Sequence, residues 1–286
     1  MQCDEVDVFG LEITVAPARE RLERDRVAGA FDEDVCTQHR RRCYGGGRPS
    51  PTLIVSFVSS HTDAHDYGSD IYTEADGSDD TLANLGPLRA LAGIWTSADG
   101  ADIHPIGPGS DITGTVVGDD EHNEYVERYE LHPIDPQTNG PQLFYGLRYH
   151  THIVKPGEIE TFHDQVGYWL WEPEARLVLH SIAIPRGQVV LAAGTAAPDA
   201  KDFEVSATLG SELYGILSNP FLDTNFKTVG FRIRVTVHDD GTWSYEEHTE
   251  MRIPGRDGLV DHVDRNTLRR IGDPIPNPLA ATELST

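Results

Sequence analysis

Among this chain's thirteen histidines, three placements invite chemistry, because imidazole both ligates metals and moves protons near neutral pH. The first is His262, in GLVDHVDRNTLRR (258–270), where a long alternating pattern ends and the C-terminal tail begins. A neutral imidazole whose second ring nitrogen is held by an acceptor is a good ligand for iron, and Asp261 and Asp264 are adjacent acceptors. Taken alone, a histidine there is as readily a strand-capping or solvated residue. The second is His150-Thr151-His152 with Glu158, Glu160 and His163. On a strand His150 and His152 share one face, so with a carboxylate and a third histidine they would form a cupin-like metal site. Arg148 falls in the same alternation, which fits a polar outer face instead. The third is Ile184-Pro185-Arg186-Gly187, a sharp turn whose arginine would either pair with a ligand carboxylate or project into solvent. His61, Asp63, His65 and Asp66 form a further group, in an acidic, turn-rich stretch where composition alone produces such clusters.

Composition narrows the classes. The chain has 286 residues, 38% of them hydrophobic, enough for a substantial core. Its net charge of −24, with lysine only at 155, 201 and 227, argues against nucleic acid as a partner, because binding phosphates needs clustered lysine and arginine. No apolar run approaches the ~20 residues of a membrane helix, and MQCDEVDVFG lacks the basic and apolar regions of a secretory signal. The expectation is an acidic cytoplasmic protein without a membrane or nucleic-acid partner. Cys3, Cys36 and Cys43 all precede the patterned region. Any metal there must be held by histidine or carboxylate, or arrive within a cofactor.

The elements that would position these residues begin near Thr81. Residues 1–80 read as a loosely packed or disordered extension, with an apolar run LIVSFVSS (53–60). DTLANLGPLRALAGIW has a helical leucine spacing and enters a strand at Gly93-Ile94-Trp95. Strand patterns follow over 124–134, 142–154, 157–173, 175–187, 188–196, 202–210, 227–239 and 241–253. Turn residues separate them, and Asp240-Gly241 is the clearest hairpin signal. Sequential strands without helical crossovers predict a mainly β fold, an antiparallel up-and-down barrel of about ten strands like lipocalins and fatty-acid-binding proteins. The longer break GSELYGILSNPFLDTNF (210–226) is apolar enough to cover the barrel mouth. A ligand inside the barrel becomes the leading functional idea.

Three motifs in order carry a resemblance. LRALAGIW ends a short helix in Gly93-x-Trp95. His163-Asp164-Gln165-Val166-Gly167-Tyr168-Trp169 places a histidine, a glycine and aromatics on a mid-barrel strand. Met251 is followed by His262-Val263 and Leu268-Arg269-Arg270. In this order they resemble the nitrobindin-like heme-binding β-barrels, as a longer, divergent branch, over residues 82–272. The domain division is then an extension 1–80, a barrel 81–272 and a tail 273–286. The resemblance implies heme b with His262 as the proximal iron ligand, His163 on the distal side, and Trp95 and Met251 in the cofactor pocket. It also implies ligands such as nitric oxide or peroxynitrite, and isomerisation of peroxynitrite to nitrate; it names no separate catalytic residue. After Trp95, where the family continues in a glycine-rich run, this chain has Thr96-Ser97-Ala98-Asp99-Gly100, with His104-Pro105 beyond. Two readings stand beside it: a heme-free barrel for a fatty acid or other apolar ligand, and the cupin-like metal barrel.

Overall fold

A computed structural model describes residues 77–275 of the chain, apart from 79 and 108. The expectations placed on residues 1–76, including LIVSFVSS and the His61–Asp66 group, lie outside the described residues.

The patterned region starts with helix α1 (Thr81–Asn84) and a 3-10 turn over Gly86–Leu91. Asp80 caps α1 by accepting the Ala83 N–H at 3.0 Å. The helical spacing puts Leu85, Leu88 and Leu91 on one side, and all three are fully buried in the core with Trp171 and Leu131. They plug one end of a barrel.

Ten strands make the wall: β1 (Gly93–Pro105), β3 (Asp120–Asn139), β4 (Gln142–Val154), β5 (Thr161–Glu172), β6 (Leu177–Ile184), β7 (Gln188–Thr195), β8 (Asp202–Thr208), β10 (Lys227–Val237), β11 (Trp243–Arg252) and β12 (Val260–Gly272). Each is antiparallel to its neighbour, and β1 pairs with both β3 and β12, which closes the ring. Closure removes the edges that an open sheet would expose. Two short strands hang on this ring, β2 (Thr115–Val117) on β3 and β9 (Ile216–Ser218) on β7. Helix α2 (Pro220–Asn225) follows β9 at the open end. Among the described residues no helix is long and apolar enough to cross a membrane.

Two glycines of the sequence motifs are fixed by close approach. At Gly93 a Cβ would lie 2.3 Å from Arg270 Nη1. That guanidinium donates to the Ala92 carbonyl at 2.7 Å and lies 4.4 Å over the Trp95 ring. At Gly167 a Cβ would lie 1.9 Å from the Ser181 carbonyl oxygen, so the β5–β6 pairing tolerates no side chain there.

Alternation along β3 directs Glu121, Asn123, Tyr125, Glu127, Tyr129 and Leu131 inward, all buried. The segment 258–270, read from sequence as following the β-pattern, is strand from Val260 onward: β12 is the one that closes the barrel. Asp135–Asn139, read as a turn, extends β3 through a register shift between Ile134 and Gln137.

Candidate functional site

Above the leucine plug the barrel encloses a cavity of about 500 Å³, within the range of small-ligand pockets. Its two walls differ. One is built by four neighbouring strands, β11, β12, β1 and β3, and is rich in ionisable groups. Strand register explains the arrangement: Glu247 pairs with Asp264, Asp264 with Asp102, and Asp102 with Asn123. Three carboxylates therefore stand side by side across three strands, facing inward. Directly opposed like charges are unfavourable, so something must compensate them.

Part of the compensation is imidazole. Asp102, almost wholly buried, lies between two histidines: Oδ2 is 2.7 Å from His104 Nδ1 and Oδ1 is 2.6 Å from His262 Nε2. The Asn123 amide also donates to it at 3.0 Å. Burial pushes Asp102 upward, but the hydrogen bonds from His104 and His262, and their charge, hold it well below the usual carboxylate range. His262 Nε2 is also 3.2 Å from Asp264 Oδ2. Burial pulls His262 down; the charge of Asp264 and the hydrogen bond and charge of Asp102 overcome this and raise it to about 9. Burial raises Asp264 to about 6 against the pull of His262. Glu247 rises to about 8 through burial and the charge of Asp264. Glu121, 1% exposed, accepts the Thr113 and Gly114 N–H groups on Oε1 at 2.9 and 2.5 Å. Its other oxygen makes no hydrogen bond and sits 3.3 Å from His104 Nε2.

Deeper in, Glu127 is completely enclosed. Thr151 donates to its Oε1 at 2.6 Å, while Tyr245 and Asn266 donate to its Oε2 at 2.9 and 2.5 Å. The floor below is aromatic. His180 on β6 stacks on Trp169, with centroids 3.7 Å apart, and neither of its ring nitrogens has a hydrogen-bond partner. Burial alone lowers it to about 3. The rest of the lining is mixed: Ile153, Phe162, Ile184, Leu222 and Phe226 are apolar, His163, Gln165 and Gln188 are polar, and Arg186 lies on the β6–β7 turn.

Of the residues singled out from sequence, His262, His163 and Met251 line this cavity. His163 Nε2 lies 3.3 Å from Gln165 Oε1, and burial lowers its pKa. Trp95 is not a lining residue; it sits in the core at the plugged end, donating from Nε1 to the Leu91 carbonyl at 2.7 Å. Asp261, expected to orient His262, instead lies 2.6 Å from His248 Nδ1, and Asp264 meets Nε2 of His262 rather than its second nitrogen. The His150, His152, Glu158, Glu160 and His163 set is not brought together. His150 pairs with Asp164 at 2.8 Å on the exposed face, His152 lies 3.0 Å from Thr161 Oγ1, and both glutamates are exposed. His163 alone of the five lines the cavity.

Asp102, His104, Glu121 and Glu247 were not singled out as site residues from sequence. The signal for two of them is a mirrored pair: Asp102-Ile103-His104 on β1 and His262-Val263-Asp264 on β12. In an antiparallel pair, D-x-H opposite H-x-D places both imidazoles and both carboxylates on one face.

A family model for the THAP4-like, heme-binding beta-barrel domain matches residues 84–270, within the 82–272 span of the resemblance. No curated protein matches the chain. Among solved structures, that of Rv2717c from M. tuberculosis is similar: 20% identical, covering 68% of this chain and 99% of that one, with a TM-score of 0.44.

Proposed function

We propose, for a chain that belongs to the THAP4-like, heme-binding β-barrel domain family, that the barrel cavity holds heme b, with His262 as the residue that would ligate its iron. The carrying observation is the lining: an imidazole on the carboxylate wall, a set of aliphatic and aromatic side chains elsewhere in the cavity, and a guanidinium on the β6–β7 turn. Such a donor set fits the group. Ile153, Phe162 and Ile184 would contact the macrocycle, and Arg186 would pair with a propionate. His262 would supply the nitrogen, exchanging its contacts with Asp102 and Asp264 for the iron. His163, its pKa lowered by burial and its Nε2 3.3 Å from Gln165 Oε1, would meet a small ligand in the cavity, and Met251 would pack against the bound group. When bound, heme supplies an iron with a position open to nitric oxide or peroxynitrite, and isomerisation of the latter to nitrate is the activity proposed. The unit responsible would be residues 81–272, with 1–80 and 273–286 as appendages.

The test is a hemin titration followed by absorption. Wild type is expected to give a saturable Soret band at one hemin per chain, and His262→Ala to lose or shift it. Identical, weak, non-saturating spectra from both proteins would sink the assignment. A heme-free apolar ligand is the second reading, favoured by the Phe162, Phe221 and Phe226 rim. A fatty acid would have to seat its carboxylate on Arg186, away from the carboxylate row. Binding of an uncharged fluorescent apolar probe, unaffected by His262→Ala, would identify that reading.

A further inference from the structure

We propose that Asp102, His104 and His262 form a site for a divalent transition-metal ion on the cavity wall, distinct from heme and sharing only His262 with it. Each of the three offers one donor atom, and these atoms lie within 4.8 Å of one another; among the described residues no other His/Cys/Asp/Glu group does so. Two imidazoles and a carboxylate suit iron(II), zinc or manganese, whereas calcium and magnesium prefer oxygen alone. The separations of 2.6 and 2.7 Å about Asp102 are about 0.3 to 0.8 Å below the roughly 3.0 Å (octahedral) to 3.4 Å (tetrahedral) between neighbouring donors on an ion with bonds of ~2.1 Å. A small side-chain adjustment opens the set.

Two further observations point to a cation. Glu121 Oε2 is buried without a hydrogen bond and directed at His104, 3.3 Å from its Nε2. Ligation through Nδ1 would leave the imidazole proton on Nε2, facing this oxygen, which is the carboxylate partner that a metal-ligating histidine ordinarily has. The second is the inward row Glu247, Asp264 and Asp102, set in register on three adjacent strands. Lys155, near this wall, is already engaged by Thr113 and Asn123. A dication held between Asp102 and the two imidazoles would offset the repulsion along the row.

This site and heme both require His262 Nε2, so occupancy by one opposes the other. Protein freed of metal and heme is titrated with Co²⁺, read by its visible d–d absorption, and with Zn²⁺, read by calorimetry. One ion per chain is expected, with affinity reduced on the order of 100-fold in Asp102→Asn and in His104→Ala. His104 is a quarter exposed, so the second variant is the one suited to keep the fold, checked by near-ultraviolet circular dichroism. Zinc is further expected to raise the melting temperature of wild type and not of His104→Ala, and to weaken hemin binding to wild type. Absence of saturable cobalt or zinc binding, or equal affinity in a folded His104→Ala protein, overturns the proposal. A wild type that binds hemin but no divalent ion overturns this inference and leaves heme standing; one that binds cobalt but gives no Soret band does the reverse.

Discussion

The carboxylate wall and the aromatic floor of the same cavity treat one side chain in opposite ways. His262, on the wall, is raised to about 9 because Asp264 and Asp102 outweigh its burial. His180, on the floor, is lowered to about 3 because burial acts on it unopposed. The backbone supplies both positions by the same means, an inward-facing place on a strand. The partners across the neighbouring strands decide whether the imidazole carries a charge. The floor is therefore shaped by packing and the wall by electrostatics, and each should fail in its own manner.

The largest effect belongs to the floor. Trp169 is 1% exposed, stacks on His180 and donates to the Tyr129 hydroxyl at 3.2 Å. Trp169→Ala is expected to cost about 4 kcal/mol, measured by urea unfolding; a loss below 1 kcal/mol would mean that packing does not define the floor. Next is the acid response of His180. Its folded value, about 3, lies below the unfolded value near 6.5, so the unfolded chain binds the extra proton. Stability should fall as pH drops from 6.5 toward 3, by at most ~1.4 kcal/mol per pH unit. His180→Phe retains a stacking ring without the proton site, and its stability relative to wild type should rise over that interval. A constant difference between pH 7 and pH 4 would contradict an unprotonated His180. Smallest is the wall's alkaline response. Glu247 sits at about 8 in the folded protein against about 4.3 unfolded, so here the folded chain holds the extra proton. Stability should fall as pH rises from 4.5 through 8, by less than ~1.4 kcal/mol per unit because the side chain is only partly enclosed. Glu247→Gln should remove that slope in chelator-treated protein, and thermal melts at pH 5 and pH 8.5 would reveal it.

The barrel was legible where the inward face is apolar or aromatic. Tyr125, Tyr129 and Leu131 alternate clearly enough to define β3, and Asp240-Gly241 does close a hairpin, with Gly241 at φ +84° between β10 and β11. Most of β1 beyond Trp95 and all of β12 were obscured by their inward residues. His262, Asp264 and Asn266 face the interior of β12, and Asp102 and His104 that of β1. Hydrophobic periodicity cannot register a strand whose buried side is polar. The chemistry that makes the wall worth studying is what hid its strands. His262 was recognisable through the family motif, but its partners on β1 and β3 become visible only when register sets Asp102 beside Asp264 and Glu121 beside His104.

The closure of the ring between its first and last strands also orders events in time. Asp102 and His262 are 160 residues apart in the chain, and β12 is the last of the ring's ten strands to leave a ribosome. The leucine plug, the hairpins and the aromatic floor can all be synthesised while β1 still lacks one neighbour. Contacts of such long sequence separation form late and slowly. Until β12 docks, Asp102 and His104 stand on an open edge without His262. The cavity thus gains His262, the nitrogen donor proposed both for heme and for the metal ion, in the same step that seals the barrel.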